Sequence, residues 1–172
     1  MIYPTATDLL RTIDHAIEEK IEPSLKDLTG RSAMATVRHL LRYVMIRLEK
    51  EGQTLTDDIA ALRKLLPEVR TYFLSLGDKD GSKAQAKMIE DALVPRFDPT
   101  KYRTLDSLAE EGAVLREALY KSLERLQALR GTHGKDASYQ AVRAAIRSYI
   151  VKEIEQEGEI IAPSFFGRGP RR

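Results

Sequence analysis

Apolar side chains recur every three or four residues along almost the whole chain, and each such run is bounded by a Thr, Ser, Pro or Gly. Leu9, Ile13, Ile17 and Ile21 recur every four residues, which predicts an amphipathic helix over residues 7–22. Thr5 or Thr7 is placed to cap it, Pro4 precedes it and Pro23 stops it. Met34, Val37, Leu41, Val44 and Leu48 are spaced three, four, three, four. This is the strongest pattern in the chain and predicts a central helix over 32–50, with Leu41 and Val44 buried and Gly52 as its stop. A third helix is expected from Thr54 or Thr56, with Asp57 and Asp58 in its favoured first turn and Pro67 kinking or ending it. Val69, Tyr72, Phe73 and Leu76 then carry the pattern on to Gly77.

Past the Gly-rich turn at 77–83, a short helix is predicted over 82–94 and an irregular connector over 94–103. Leu105, Leu108, Leu115, Leu119, Leu123 and Leu126 give a leucine-rich face to a fifth helix over 104–130, where Gly112 marks close packing. A loop over 131–138 leads to a sixth helix over 138–157, with Val142, Ile146, Tyr149, Ile150 and Ile154 inward. No run alternates polar and apolar residues between turns, so no sheet is expected. The fold class is all-α, a bundle of about six helices over 1–162 followed by a tail over 163–172.

The last third of the chain echoes the first. VRHLLRYVMIRLEKEGQ at 37–53 resembles VRAAIRSYIVKEIEQEGE at 142–159, and LKDLTG at 25–30 resembles LQALRG at 126–131. A duplicated helix-loop-helix with pseudo-twofold symmetry would produce this echo. Shared amphipathic period and Gly stops between unrelated helices would produce it too.

Composition narrows the function classes. At 172 residues the chain is long enough to bury a core as one domain. With no cysteine, disulfide scaffolds, thiolate catalysis and Cys-ligated metals are excluded, and a reducing cytoplasm is the expected location. The N-terminal stretch has neither a basic segment nor an apolar run of the secretory kind. The net charge of +2 divides into +3 on Arg168, Arg171 and Arg172 and about −1 on the remainder, which argues against a broad nucleic-acid surface.

PTATDLL, then an acidic helix, then IEPSL, then VRHLLRYVMIRLEKE resembles a bacterial domain family of unknown function. Its members are small helical proteins with a PTA-x-x-LL start, an E-x-x-P-x-L helix end and a following helix that closes on R-E-L-like residues. Pro4, Thr5, Ala6, Leu9 and Leu10 match the start; Glu22, Pro23 and Leu25 match near the helix end; Arg47, Leu48 and Glu49 match the close. The resemblance covers the first third of the chain. Members are encoded beside aminoglycoside-phosphotransferase-like kinases and acyl-CoA dehydrogenases, so it implies an accessory subunit in acyl-CoA catabolism rather than an enzyme.

Several constellations carry candidate chemistry. Arg38 and Arg42 share one helical face, as do Arg143 and Arg147. These four either tether helices by pairing with acids such as Glu18, Glu19 or Glu22, or hold a phosphate or carboxylate. His15 and Glu19 have helical metal-ligand spacing, and His39 is a third candidate ligand. Neither histidine has the preceding Glu of a di-iron motif, since Thr12 and Thr36 stand there. GTHGKD at 131–136 is a Gly-bounded loop suited to a phosphate, but it lacks P-loop spacing and a preceding strand. In the tail, Phe165, Phe166 and Arg168 suit partner docking, with aromatic anchors and a polar rim. The leading expectation is a non-catalytic accessory or regulatory binding protein with a protein partner, no cofactor and no membrane span, with homo-oligomerisation open. The rivals are a helical metal-dependent enzyme built on His15 and His39, and a basic-tailed nucleic-acid binder.

Overall fold

A computed structural model describes residues 3–77, 81–98 and 100–165, the last two by their backbone. Among the described residues six α-helices follow in order: α1 (Ala6–Ala16), α2 (Leu28–Ser75), α3 (Ser82–Leu93), α4 (Leu105–Ala128), α5 (Arg130–His133) and α6 (Ala137–Phe165). Among the described residues there is no strand, and the fold is all-α. The chain divides into two units, one of Met1–Glu51 with Glu155–Arg172, the other of Gly52–Ile154.

Unit 2 owns the core. Ile59, Leu62, Leu66, Val69 and Phe73 of α2 repeat at three and four residues and are buried. They pack in one cluster with Ala86 and Ile89 of α3, Leu108, Leu115, Leu119 and Leu126 of α4, and Tyr139 and Ile146 of α6. Tyr72 meets Phe73 and Tyr139 edge to face at 5.6 and 6.3 Å. Two hydroxyls inside this core, those of Ser122 and Tyr139, are paired, while those of Tyr72 and Ser82 have no hydrogen-bond partner among the described residues. The Ser122 hydroxyl donates to the Ala118 carbonyl at 2.7 Å and accepts from Gln85 Nε2 at 3.0 Å, and the Tyr139 hydroxyl donates to the Leu126 carbonyl at 2.9 Å. Thr104 caps α4 by accepting from the Ser107 N–H at 3.2 Å.

Unit 1 is built around α1 and the first part of α2. Thr5 and Asp8 form a reciprocal capping box that starts α1. Past Ala16 the helix widens into one π-turn (Ile17–Ile21) and tightens into a 3₁₀ turn (Glu22–Ser24) at Pro23. Among its described apolar side chains, Ile17 alone is buried.

The structure corrects the predicted boundaries. Gly52 and Pro67 do not interrupt α2, which runs unbroken from Leu28 to Ser75. Gly costs a helix interior about 1 kcal/mol and Pro about 3 kcal/mol. Around Gly52 that cost is offset by side-chain pairs one turn apart, Arg47 with Glu51 and Gln53 with Asp57. Around Pro67 it is offset by burial of Leu62, Leu66, Val69 and Phe73. The stretch taken as central is not buried: Leu41 is half-buried and Val44 is 44% exposed. The same three-four spacing recurs at 59–73, and that copy has helices packed on it. The predicted loop at 131–138 overlaps the one-turn helix α5, which starts at Arg130, and the start of α6 at Ala137. The tail does not begin at Pro163, because α6 passes through both Gly158 and Pro163 to Phe165. In the echoed segments, Gly52 and Gly158 both lie inside continuing helices. Leu25 to Gly30 leads into α2, whereas Leu126 to Gly131 leaves α4.

Candidate functional site

The arginines singled out by sequence fall in different surroundings. Arg38, on α2 in unit 1, is 9% exposed. Its guanidinium reaches Asp14 at 2.7 Å, Glu18 at 3.1 Å and Glu22 at 3.2 Å. One fork thus binds three acids spaced along the first 22 residues, two of them beyond the last α-turn of α1. Hydrogen bonding from Arg38 holds the Asp14 carboxyl below its ordinary value and raises the guanidinium. Such a saturated guanidinium is a tether between segments. Arg42 is half-buried on the same helix and adds a favourable field at Asp14.

Two further ion clusters lie in unit 2, and the sequence reading named none of their members as a site. Glu111 of α4 is 5% exposed and takes Arg63 Nε at 2.8 Å and Nη2 at 2.5 Å, together with the guanidinium of Arg103. Arg63 also donates to the Leu93 carbonyl at the end of α3, at 2.9 Å. Burial alone would raise the Glu111 carboxyl, but the hydrogen bonds from Arg63 and Arg103 outweigh it and hold the group below its ordinary value. The second cluster centres on Asp58, 5% exposed, which accepts from the Tyr149 hydroxyl at 2.6 Å and faces Arg116 at 2.6 Å. Arg116 also lies 3.4 Å from Glu153. Burial, and donation to Asp58, push the Tyr149 phenol well above its ordinary value. Both clusters knit α2 to α4 or α6. Glu111 is held by two arginines and Asp58 by Tyr149 and Arg116, so each buried charge is compensated in a contact between helices.

A groove in unit 2 has the opposite character. It occupies about 1070 Å³ between the end of α4, the 131–135 turn and the first half of α6. Arg130, Lys135, Arg143 and Arg147 line it, and no acidic side chain among the described residues does. Arg143 lies over the Tyr139 ring at 5.9 Å from its centroid, within the range of a cation–π contact. The groove therefore joins two features that are separate in sequence: the GTHGK turn and the Arg143–Arg147 pair. The nearest acid in sequence, Asp136, is engaged at 2.8 Å by His133 Nδ1.

The remaining candidates are dispersed. His15 and Glu19 are exposed and His39 is half-buried. Among the described residues no group of three or more His, Cys, Asp or Glu gathers as a metal site requires. Phe165 lies in the last turn of α6, while Phe166 and Arg168 lie outside the described residues. No helix among the described residues is long and apolar enough to cross a membrane.

Unit 1 presents a different kind of surface. Val37, Leu40, Val44 and Leu48 follow one face of α2, and Leu9 and Ile13 follow one face of α1. All six remain between 43% and 59% exposed. The charged partners Arg11 and Glu49, 3.3 Å apart, bind α1 to α2 at one end of this pair. Comparison with protein-family models, with curated proteins and with solved structures finds no match to this chain.

Proposed function

We propose that the chain is a non-catalytic accessory or regulatory binding protein that works through the apolar face of unit 1. One observation carries this reading: six apolar residues in helical register stay 43–59% exposed on a helix pair whose described apolar side chains include a single buried one. Helices draw most of their stability from packing an apolar face, so a pair this poorly covered gains by docking. The occupant we assign is a second copy of the same chain. Residues 1–51 hold eight Lys and Arg against eight Asp and Glu, so two copies meet without net repulsion. Two helix pairs that bury their stripes together make a four-helix arrangement. A dimer formed this way leaves unit 2 free to engage a heterologous partner. The resemblance of the first third directs that search to kinases and acyl-CoA dehydrogenases. The buried carboxylates Asp58 and Glu111 support a binding role over an enzymatic one, because each is engaged by arginine or tyrosine in a contact that joins helices.

The test is the mass of the purified chain by light scattering after gel filtration, beside the Val44→Lys/Leu48→Lys variant. The reading requires twice the 19.4 kDa chain mass for the native protein and a single mass for the variant at unchanged helicity. A native monomer at tens of micromolar, or a dimer indifferent to both lysines, would sink it.

A further inference from the structure

We infer that the basic groove of unit 2 is a binding site for a compact polyanion, a di- or triphosphate attached to an apolar or aromatic group. This stands apart from the docking face of unit 1. Four cationic side chains, Arg130, Lys135, Arg143 and Arg147, line one concavity with no carboxylate among the described lining residues. Elsewhere in this unit Arg63, Arg103 and Arg116 each have an acidic partner within 3.5 Å. Like charges gathered without counter-charge repel one another, and an anion of two or more charges relieves that repulsion.

The donors available decide the kind of anion. Four backbone amides of the turn are already used: Thr132 and His133 donate to the Leu129 carbonyl, Gly134 to Arg130 and Asp136 to His133. The site thus offers chiefly side-chain guanidiniums. Guanidinium forks match phosphate oxygens in pairs. Arg143 and Arg147 stand one turn apart on α6, about 6 Å along its axis, so both reach one short chain of phosphates. Arg143 is further oriented by the Tyr139 ring beneath it.

Size and lining set the rest of the ligand. About 1070 Å³ is far more than one phosphate occupies and lies at the upper end of ligand clefts, which run to about 1,000 Å³. Leu123 and Val151 add apolar surface beside the cations. Two of the four cations stand on α6 and two on residues 130–135, so the charge converges on one concavity, which favours a compact ligand over an extended acidic peptide.

Titration calorimetry on the full chain tests this with three probes: ADP, inorganic pyrophosphate and a seven-residue oligoglutamate. ADP is expected to bind one to one and more tightly than either of the others. The Arg143→Gln/Arg147→Gln variant should weaken it at least about tenfold, the loss of charge-assisted hydrogen bonds. Lys152→Gln, an exposed change further along α6, should leave binding unchanged. Both arginines are exposed, so melting temperatures should match, and Arg147→Gln alone serves if the double variant melts low. No saturable ADP binding at millimolar concentration overturns the inference. So does ADP affinity that survives loss of the arginines, and so does pyrophosphate or oligoglutamate binding as tightly as ADP.

Discussion

Glu111→Gln tests the packing of unit 2 at its most connected polar point. The carboxylate is 5% exposed and receives three guanidinium contacts, two from Arg63 and one from Arg103. The amide keeps the shape but removes the charge and one acceptor. Breaking one side of a buried ion pair costs about 3–5 kcal/mol, because the partner stays buried and uncompensated. Here both arginines are about a third exposed, so water recovers part of that cost. Arg63 also keeps its bond to the Leu93 carbonyl. A loss of about 2–3 kcal/mol follows. The pH dependence has a definite sign. Since the folded carboxyl lies below its ordinary value, its contribution is present above the unfolded pKa of about 4.3 and is lost as pH falls through the folded value. Urea denaturation followed by circular dichroism at pH 7 and again near pH 3 measures both. The native protein should lose stability over this interval by more than the variant does. A cost under about 1 kcal/mol at pH 7, or a difference between the proteins that is unchanged at pH 3, would refute the reasoning.

Other expectations follow from the same contacts. Arg38→Gln should release α1, costing about 2 kcal/mol in denaturation and raising hydrogen exchange at residues 6–24, since Asp14, Glu18 and Glu22 lose one shared cation. Equal exchange rates in the two proteins would contradict the tether. Tyr149→Phe should cost about 1–2 kcal/mol by leaving the buried Asp58 short of a donor. In an alkaline absorbance titration that variant should also lack one of the latest-ionising phenols, and an unaltered titration curve would count against the pairing. Gly112→Ala should raise stability by about 0.5–1 kcal/mol, because a Cβ there meets nothing closer than 3.9 Å and glycine is unfavourable in a helix interior. A lower melting temperature would show that the packing is tighter than these distances.

Helix existence was legible in the sequence because the three-four spacing of apolar residues is a direct image of the helical turn. Boundaries were less so. Gly52 reads as a stop, Pro67 as a kink or a stop, and the expected helix and tail boundaries fall at Gly158 and Pro163, yet each of the four sits inside a helix. A local penalty of about 1–3 kcal/mol does not show in sequence what packing and side-chain pairs return to offset it. The 34–48 stripe is a sharper case. Its spacing resembles that of 59–73, and periodicity reports that a face is apolar, not what covers it. Glu111 and Asp58 carried no local signal at all, because their partners lie 48 and 91 residues away. Of the groove, the turn and the arginine pair were each visible as separate candidates. Their meeting depended on α6 folding back beside the end of α4.

Hydrogen exchange read by mass spectrometry at two protein concentrations tests most directly whether a second copy covers the apolar face of unit 1. If a second copy covers Leu9, Ile13, Val37, Leu40, Val44 and Leu48, amides in residues 6–16 and 34–51 should exchange more slowly at high concentration. Those of residues 59–73, inside the core of unit 2, should not change. Exchange in residues 6–16 and 34–51 that is fast and independent of concentration would contradict the account.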